Sequence, residues 1–214
     1  EQLHVEVHFG EEVSDLSALE GQQVIVATGS TPRVLQGVPG HEKMIEACEY
    51  LIGTPVGQKV AVIGGGLTGS EIAYELALQG KEVTIVEMKD DLVSQKGVCL
   101  ANSSYLREWF ALHEVPVYLE TTLKEVKDGC IICTGKDGEV TIPCDSVICS
   151  AGYLPAPIAK EGGKVHLVGD CRKVGNLRSV IWRANEANTG TTGNSEWQPG
   201  RNHGKGHGDP GALR

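Results

Sequence analysis

No stretch of this 214-residue chain approaches the ~20 consecutive apolar residues of a bilayer-spanning helix. Its start, EQLHVEVHFG, lacks the basic flank and the apolar run of a secretory signal. It also lacks a methionine and opens inside an alternating pattern, as a fragment cut from a longer chain would. Basic residues are outnumbered, 19 Lys and Arg against 28 Asp and Glu, for a net charge of −9. Phosphate backbones and anionic headgroups need a basic surface, so neither nucleic acid nor a membrane is expected as a partner. Residues 188–214 hold almost no aliphatic side chains among many Gly, Asn and His. Such a segment cannot bury enough apolar surface to offset its ordering entropy, and a flexible tail is expected there.

What is present suits a soluble globular chain of one large or two small domains, 40% hydrophobic and 22% charged. The cysteines are odd in number: Cys48, Cys99, Cys130, Cys133, Cys144, Cys149 and Cys171. Most sit among Val and Ile, where a free thiol acts as a small hydrophobe. With no secretory signal they read as reduced thiols of a cytoplasmic protein. Cys130 and Cys133 have C-x-x-C spacing, but CIIC reads as strand, and residues three apart on a strand face opposite ways. His203 and His207 are four apart, yet Gly204, Gly206 and Gly208 oppose the helix that zinc ligation would need. No metal site is assigned. No Ser/His/Asp set or carboxylate pair stands out, so no catalytic residue is assigned either.

Leu3 to Phe9 alternates like a half-buried strand, and Val24 to Ala27 is a short apolar run suited to a buried parallel strand. Pro32, Gly37, Pro39 and Gly40 read as a linker. A short helix is expected over Met44 to Ile52, a strand over Lys59 to Ile63, a helix over Leu67 to Gln79 and a strand over Lys81 to Val86. Asn102 to His113 reads as a second helix with Asn102 or Ser103 as N-cap, and Pro116 to Leu119 as a short strand. Turns at Asp128-Gly129 and Asp137-Gly138 divide residues 123–150 into a β-meander. Val147 to Cys149 and Val165 to Val168 complete the strands.

One motif carries chemistry. VIGGGLTGSE sets Gly64, Gly66 and Gly69 in the pattern G-x-G-x-x-G, after a strand and before a helix. Gly64 allows the tight turn, Gly66 the close approach of a pyrophosphate, and Gly69 close helix packing. The pyrophosphate then meets free N–H groups and the positive end of a helix. Glu87 closes the next strand 18 positions beyond Gly69, close to the ~20 expected of the acid that binds a ribose hydroxyl. A carboxylate there repels a 2′-phosphate and favours NAD(H) over its phosphorylated form, while Lys89 nearby softens that preference. Cofactor contacts are therefore expected at Gly64, Gly65, Gly66, Leu67, Thr68, Gly69, Glu87, Met88 and Lys89. Glu71 either stabilises the helix start or faces the nicotinamide.

ATGSTPR, GGGLTGSE, SAGYLP at 150–155 and VGDCRKVGNLRSVIWRANEA occur in that order. Together they resemble the C-terminal part of NADH:flavin oxidoreductases of the 2,4-dienoyl-CoA reductase and enoate reductase type, over residues 1–187. More broadly the chain resembles the flavoproteins with two dinucleotide-binding domains. The resemblance implies an α/β fold: a Rossmann-like NAD(H)-binding domain with a β-meander, residues 41–150, inserted in a truncated FAD-binding domain, residues 1–40 and 151–187. It implies FAD contacts at Ala27, Thr28, Gly29, Ser30, Gly169 and Asp170, and nicotinamide-side positions at Glu71 and Gly152. The family's first G-x-G-x-x-G, upstream of the ATG segment, is not in this chain, nor is the barrel that carries FMN and an iron–sulfur cluster. The expectation is a fragment that binds NADH as hydride donor to FAD in the parent enzyme, inactive by itself. The exposed remnant of the FAD domain would promote homo-oligomers. The alternative is a stand-alone nucleotide-binding or sensing module.

Overall fold

A computed structural model describes residues 5–94 and 98–191, with side chains through residue 187. The expected tail beyond 191, with His203 and His207, lies outside the described residues. In chain order the elements begin with β1 (Val24–Val26), β2 (Ser30–Pro32), β3 (Ile45–Glu46), α1 (Ala47–Leu51), β4 (Lys59–Ile63), α2 (Leu67–Leu78) and β5 (Glu82–Val86). There follow α3 (Leu100–Leu112), β6 (Val117–Tyr118), β7 (Thr122–Lys127), β8 (Cys130–Gly135), β9 (Gly138–Pro143) and β10 (Ser146–Cys149). The last are β11 (Tyr153–Pro155), β12 (Val165–Leu167) and α4 (Leu177–Thr191). No helix among the described residues is long and apolar enough to cross a membrane.

Residues 29–156 form one compact unit, and the described residues on either side of them form another. The central unit is built on a five-stranded parallel sheet in the order β3-β10-β4-β5-β6. β4 is buried on both faces, which explains why KVAVI is apolar without alternation. Val60 and Val62 pack with Ile72, Leu76, Leu106 and Phe110 from α2 and α3. Ala61 and Ile63 pack instead with Leu123, Val126, Ile131 and Ile142. Those belong to the antiparallel meander β7-β8-β9, which covers the second face of the sheet.

Several expected elements are revised. Met44 to Ile52 is a strand and then a helix, because Ile45 pairs with Ile148 of β10. Glu46 then caps α1, its carboxylate accepting from Cys48 N at 2.6 Å. α3 begins at Leu100 with Cys99 as N-cap and no side-chain cap bond, rather than at Asn102 or Ser103. The meander ends at β9, since β10 leaves it for a place in the parallel sheet between β3 and β4. The alternation over Leu3 to Phe9 starts outside the described residues, and from Val5 onward it forms no strand; Val5, Val7 and Phe9 are exposed.

The flanking unit holds the parallel pair β1–β12 and α4. Its core is small: Val26, Leu167 and Cys171, with Leu16, Val24 and Val165 packed against them.

β4 and β10 are tied at their starts by Asp145. One of its carboxylate oxygens accepts from Gln58 N and Lys59 N, each at 2.9 Å. The bond from Lys59, above all, holds the Asp145 carboxyl below the usual carboxylate range. A lowered pKa means stabilisation that is complete above the unfolded-state value and lost as pH falls through the folded one. Asp145 is exposed, so Asp145→Ala should cost only about 0.5–1 kcal/mol at neutral pH. Urea unfolding should show that gap closing once the pH falls below the lowered pKa.

Candidate functional site

β4 runs into Gly64, whose N–H bonds to Val86 O at 2.8 Å. Gly64 has φ 105°, and a Cβ there would overlap the Ser150 carbonyl that leaves β10. A Cβ on Gly69 would overlap the Gly64 carbonyl, so α2 rests directly on the loop backbone. Gly66 is the N-cap of α2, and no side chain caps this helix. Its first N–H groups therefore have their positive end open to an anion.

The loop forms one wall of a cavity of about 670 Å³, within the ~300–1,000 Å³ usual for small-molecule sites. The cavity lies at the carboxyl ends of the parallel strands: Ile63–Gly66 after β4, Val86–Lys89 after β5, Ser150–Tyr153 after β10 and Glu46–Ala47 at β3. β4 is flanked by β5 on one side and β10 on the other, so this is the switch point where open α/β sheets bind ligands.

Glu87 is only 7% exposed and faces this cavity. Its Oε2 accepts from Gly65 N at 2.6 Å and its Oε1 from Lys89 N at 2.9 Å. An ionised carboxylate has about four acceptor positions, so two remain for a ligand's hydroxyls. At the β10 end, Tyr153 Oη donates to Glu46 Oε1 at 3.2 Å and lies 2.7 Å from Cys48 Sγ. Burial first, then the Cys48 thiol and the Glu46 charge, push the Tyr153 phenol well up, so it stays a neutral hydroxyl.

Of the cofactor positions read from the sequence, Gly64, Gly65, Gly66, Leu67, Thr68, Glu87, Met88, Lys89 and Gly152 line the cavity together. Gly69 is buried behind it, and Glu71 lies exposed on α2 outside the lining. Gly29 and Ser30 belong to the central unit but not to the lining, whereas Ala27, Thr28, Gly169 and Asp170 belong to the flanking unit. In that unit Gly169 has φ 65°, and Asp170 Oδ1 accepts from Gly175 N at 3.1 Å. Cys133 and Ile131 share the buried face of β8, while Cys130 is on the other. Burial pushes the thiols of Cys133 and Cys144 up to about 11.

Sequence reasoning missed Arg33, Glu46, Ser94, Ser150 and Tyr153 as lining residues. For Glu46, Ser150 and Tyr153 the signal is positional, since Glu46 ends β3 and the other two follow β10. It also missed a strap over Asp91–Ser94. Val93 there has φ 49°, a region that costs a β-branched residue about 1–3 kcal/mol.

The fold and this site define an α/β protein with a parallel sheet and a glycine-loop cavity at the carboxyl ends of its strands. The profile of the family described as pyridine nucleotide-disulphide oxidoreductase matches residues 3–174, and the chain belongs to that family. It is 31% identical over 191 residues to a cinnamate reductase of Clostridium sporogenes, covering 86% of this chain and 29% of that protein. It is 29% identical over 194 residues to an NADH oxidase of Thermoanaerobacter brockii, covering 83% and 29%. Among solved structures, a 2-naphthoyl-CoA reductase in complex with 2-naphthoyl-CoA superposes with TM-score 0.64 at 26% identity, covering 76% of this chain and 26% of that one. The chain thus spans under a third of the length of these relatives. The α/β expectation, a parallel sheet with a meander, agrees with the fold, and the oxidoreductase resemblance agrees with these relatives.

Proposed function

We propose that the central unit binds NADH as hydride donor within a flavin-dependent oxidoreductase, and that the flanking unit is part of the FAD-binding domain that receives the hydride. The observation that carries this reading is the open N-terminus of α2, set beside the buried Glu87 carboxylate in one cavity. The N–H groups of Gly66 to Thr68 suit a pyrophosphate, and the free acceptor positions of Glu87 suit a ribose diol. Gly152 and Tyr153 line the far end, where a nicotinamide ring would lie. Bound there, NADH supplies the hydride, and the protein's part is to hold and orient it. A reductase acting on an unsaturated substrate is the whole-protein activity that the cinnamate reductase relative supports. A reducing, cytoplasmic setting belongs to the same proposal and rests on the unpaired cysteines.

The described residues suit FAD only in part. Gly169 and Asp170 follow β12 as a short turn, but no G-x-G-x-x-G precedes Ala27 to hold a second pyrophosphate.

Three outcomes are expected. Calorimetric titration should show tighter binding of NADH than of NADPH, and Glu87→Ala should narrow that gap by about 1–3 kcal/mol. Equal affinities in the unaltered chain would defeat the assignment. The purified chain should be colourless and should not oxidise NADH by itself; a stoichiometric flavin absorption band would refute this. Finally, β1 pairs only with β12 among the described residues, and Ile25 is 55% exposed. An open strand edge is a template for another chain. Light scattering should therefore show oligomers that part on dilution, and a monomer at every concentration would count against a role for that edge.

A further inference from the structure

We propose that Arg107 is a positioning residue that latches the Asp91–Ser94 strap onto the glycine loop, and so holds the Glu87 carboxylate in the orientation that selects an unphosphorylated ribose. The selection rests on the nucleotide reading above; the latch does not.

Gly65 is the point where the strap and Glu87 meet. Its N–H donates to Glu87 Oε2 at 2.6 Å, and its carbonyl accepts from Val93 N at 2.8 Å. A Cβ on Gly65 would overlap Leu92 Cδ2 on one side and crowd the Glu87 Cβ, 3.1 Å away, on the other. Leu92 and Val93 are 4% and 3% exposed, so the strap is pressed in rather than laid over the surface. Moving the strap would therefore remove one of the two bonds on the Gly65 carbonyl, leaving that from Ser70 Oγ at 3.2 Å, and would loosen the Gly65 N–H, which with Lys89 N aims Glu87.

The strap does not hold this shape by local preference. Val93 sits at φ 49°, which β-branched residues avoid, so an outside contact must keep it there. Arg107, from the middle of α3, supplies one. Its Nε and Nη2 both donate to Leu92 O, at 2.9 and 2.6 Å, and Nη2 also reaches Asp91 Oδ2 at 2.8 Å. A planar fork on one carbonyl, tied to a carboxylate, is a geometry that lysine cannot copy. Arg107 does not line the cavity, so it acts on a ligand only through the strap.

The test compares the unaltered chain with Arg107→Met, which keeps the stem and loses the fork, and with Arg107→Lys. Residue-resolved amide exchange without nucleotide reads the latch; calorimetric titration with NADH and with NADPH reads the selection. In Arg107→Met, exchange at Val93 and Gly65 should speed up about tenfold, the effect of losing a charge-assisted hydrogen bond. Val60–Ile63 and Val83–Val86 should keep their protection. NADH should weaken while NADPH does not weaken in step, so the preference for NADH falls by about tenfold. Arg107→Lys should move both readouts the same way by a smaller step, and it keeps the comparison readable if Arg107→Met unfolds. Unchanged exchange at Val93 and Gly65 would overturn the latch. Exchange that rises equally through β4 and β5 would make Arg107 a general brace and overturn it too. Faster strap exchange with both nucleotides weakened alike would overturn the selection. An unaltered chain that binds neither nucleotide would overturn the cofactor reading and the selection with it, while the exchange rates still decide the latch.

Discussion

α2 stands on bare backbone. At Gly69 the helix touches the Gly64 carbonyl, and Gly64 in turn is pressed against the Ser150 carbonyl at the exit of β10. A side chain at either position would drive the helix, the loop and the strand apart. Because neither has one, three elements converge within van der Waals distance. The N–H groups that open α2 then face the space between the strand ends. The rest of the site follows from that convergence: Val86–Lys89 becomes one wall, Ser150–Tyr153 another, and the Gly65 N–H comes within reach of Glu87.

Such a site costs free energy. The helix start has no side-chain cap, and Val93 carries a left-handed backbone worth about 1–3 kcal/mol. The sheet beneath offsets this. Each fully buried aliphatic side chain contributes about 1.5–3 kcal/mol, and β4 and β5 place such residues on both faces. Helices cover one face and the meander covers the other, so the strained loop is borne by a core that dwarfs its cost. The flanking unit has no comparable reserve, with three buried residues at the heart of its core cluster, Val26, Leu167 and Cys171.

Within the central unit the cysteines divide by burial. Cys133, Cys144 and Cys149 are raised by burial and behave as core, in keeping with their Val and Ile neighbours in sequence. Cys48 lies instead at an exposed helix start, beside the phenol of Tyr153, which comes from more than a hundred residues away in the chain. Nothing local to Cys48 announces that contact.

The glycine pattern, the strand before it, the helix after it and the acid at Glu87 were legible in the sequence, because each expresses a local rule. A tight turn needs a positive φ, a close helix needs no Cβ, and a strand buried on both faces needs an unbroken apolar run. The meander was legible for a similar reason, since Asp128-Gly129 and Asp137-Gly138 mark its turns. Other features were decided only by tertiary structure. Ile45 and Glu46 became strand because Ile148, far along the chain, offered a parallel partner. β10 left the meander to lie between β3 and β4, which alone brought Ser150 and Tyr153 to the cavity. The hold of Arg107 on Leu92, and of Asp145 on β4, likewise join residues with no periodic relation in sequence. Backbone geometry and periodicity are properties of a few neighbouring residues and can be read along the chain, whereas which strand lies beside which depends on how the whole core closes.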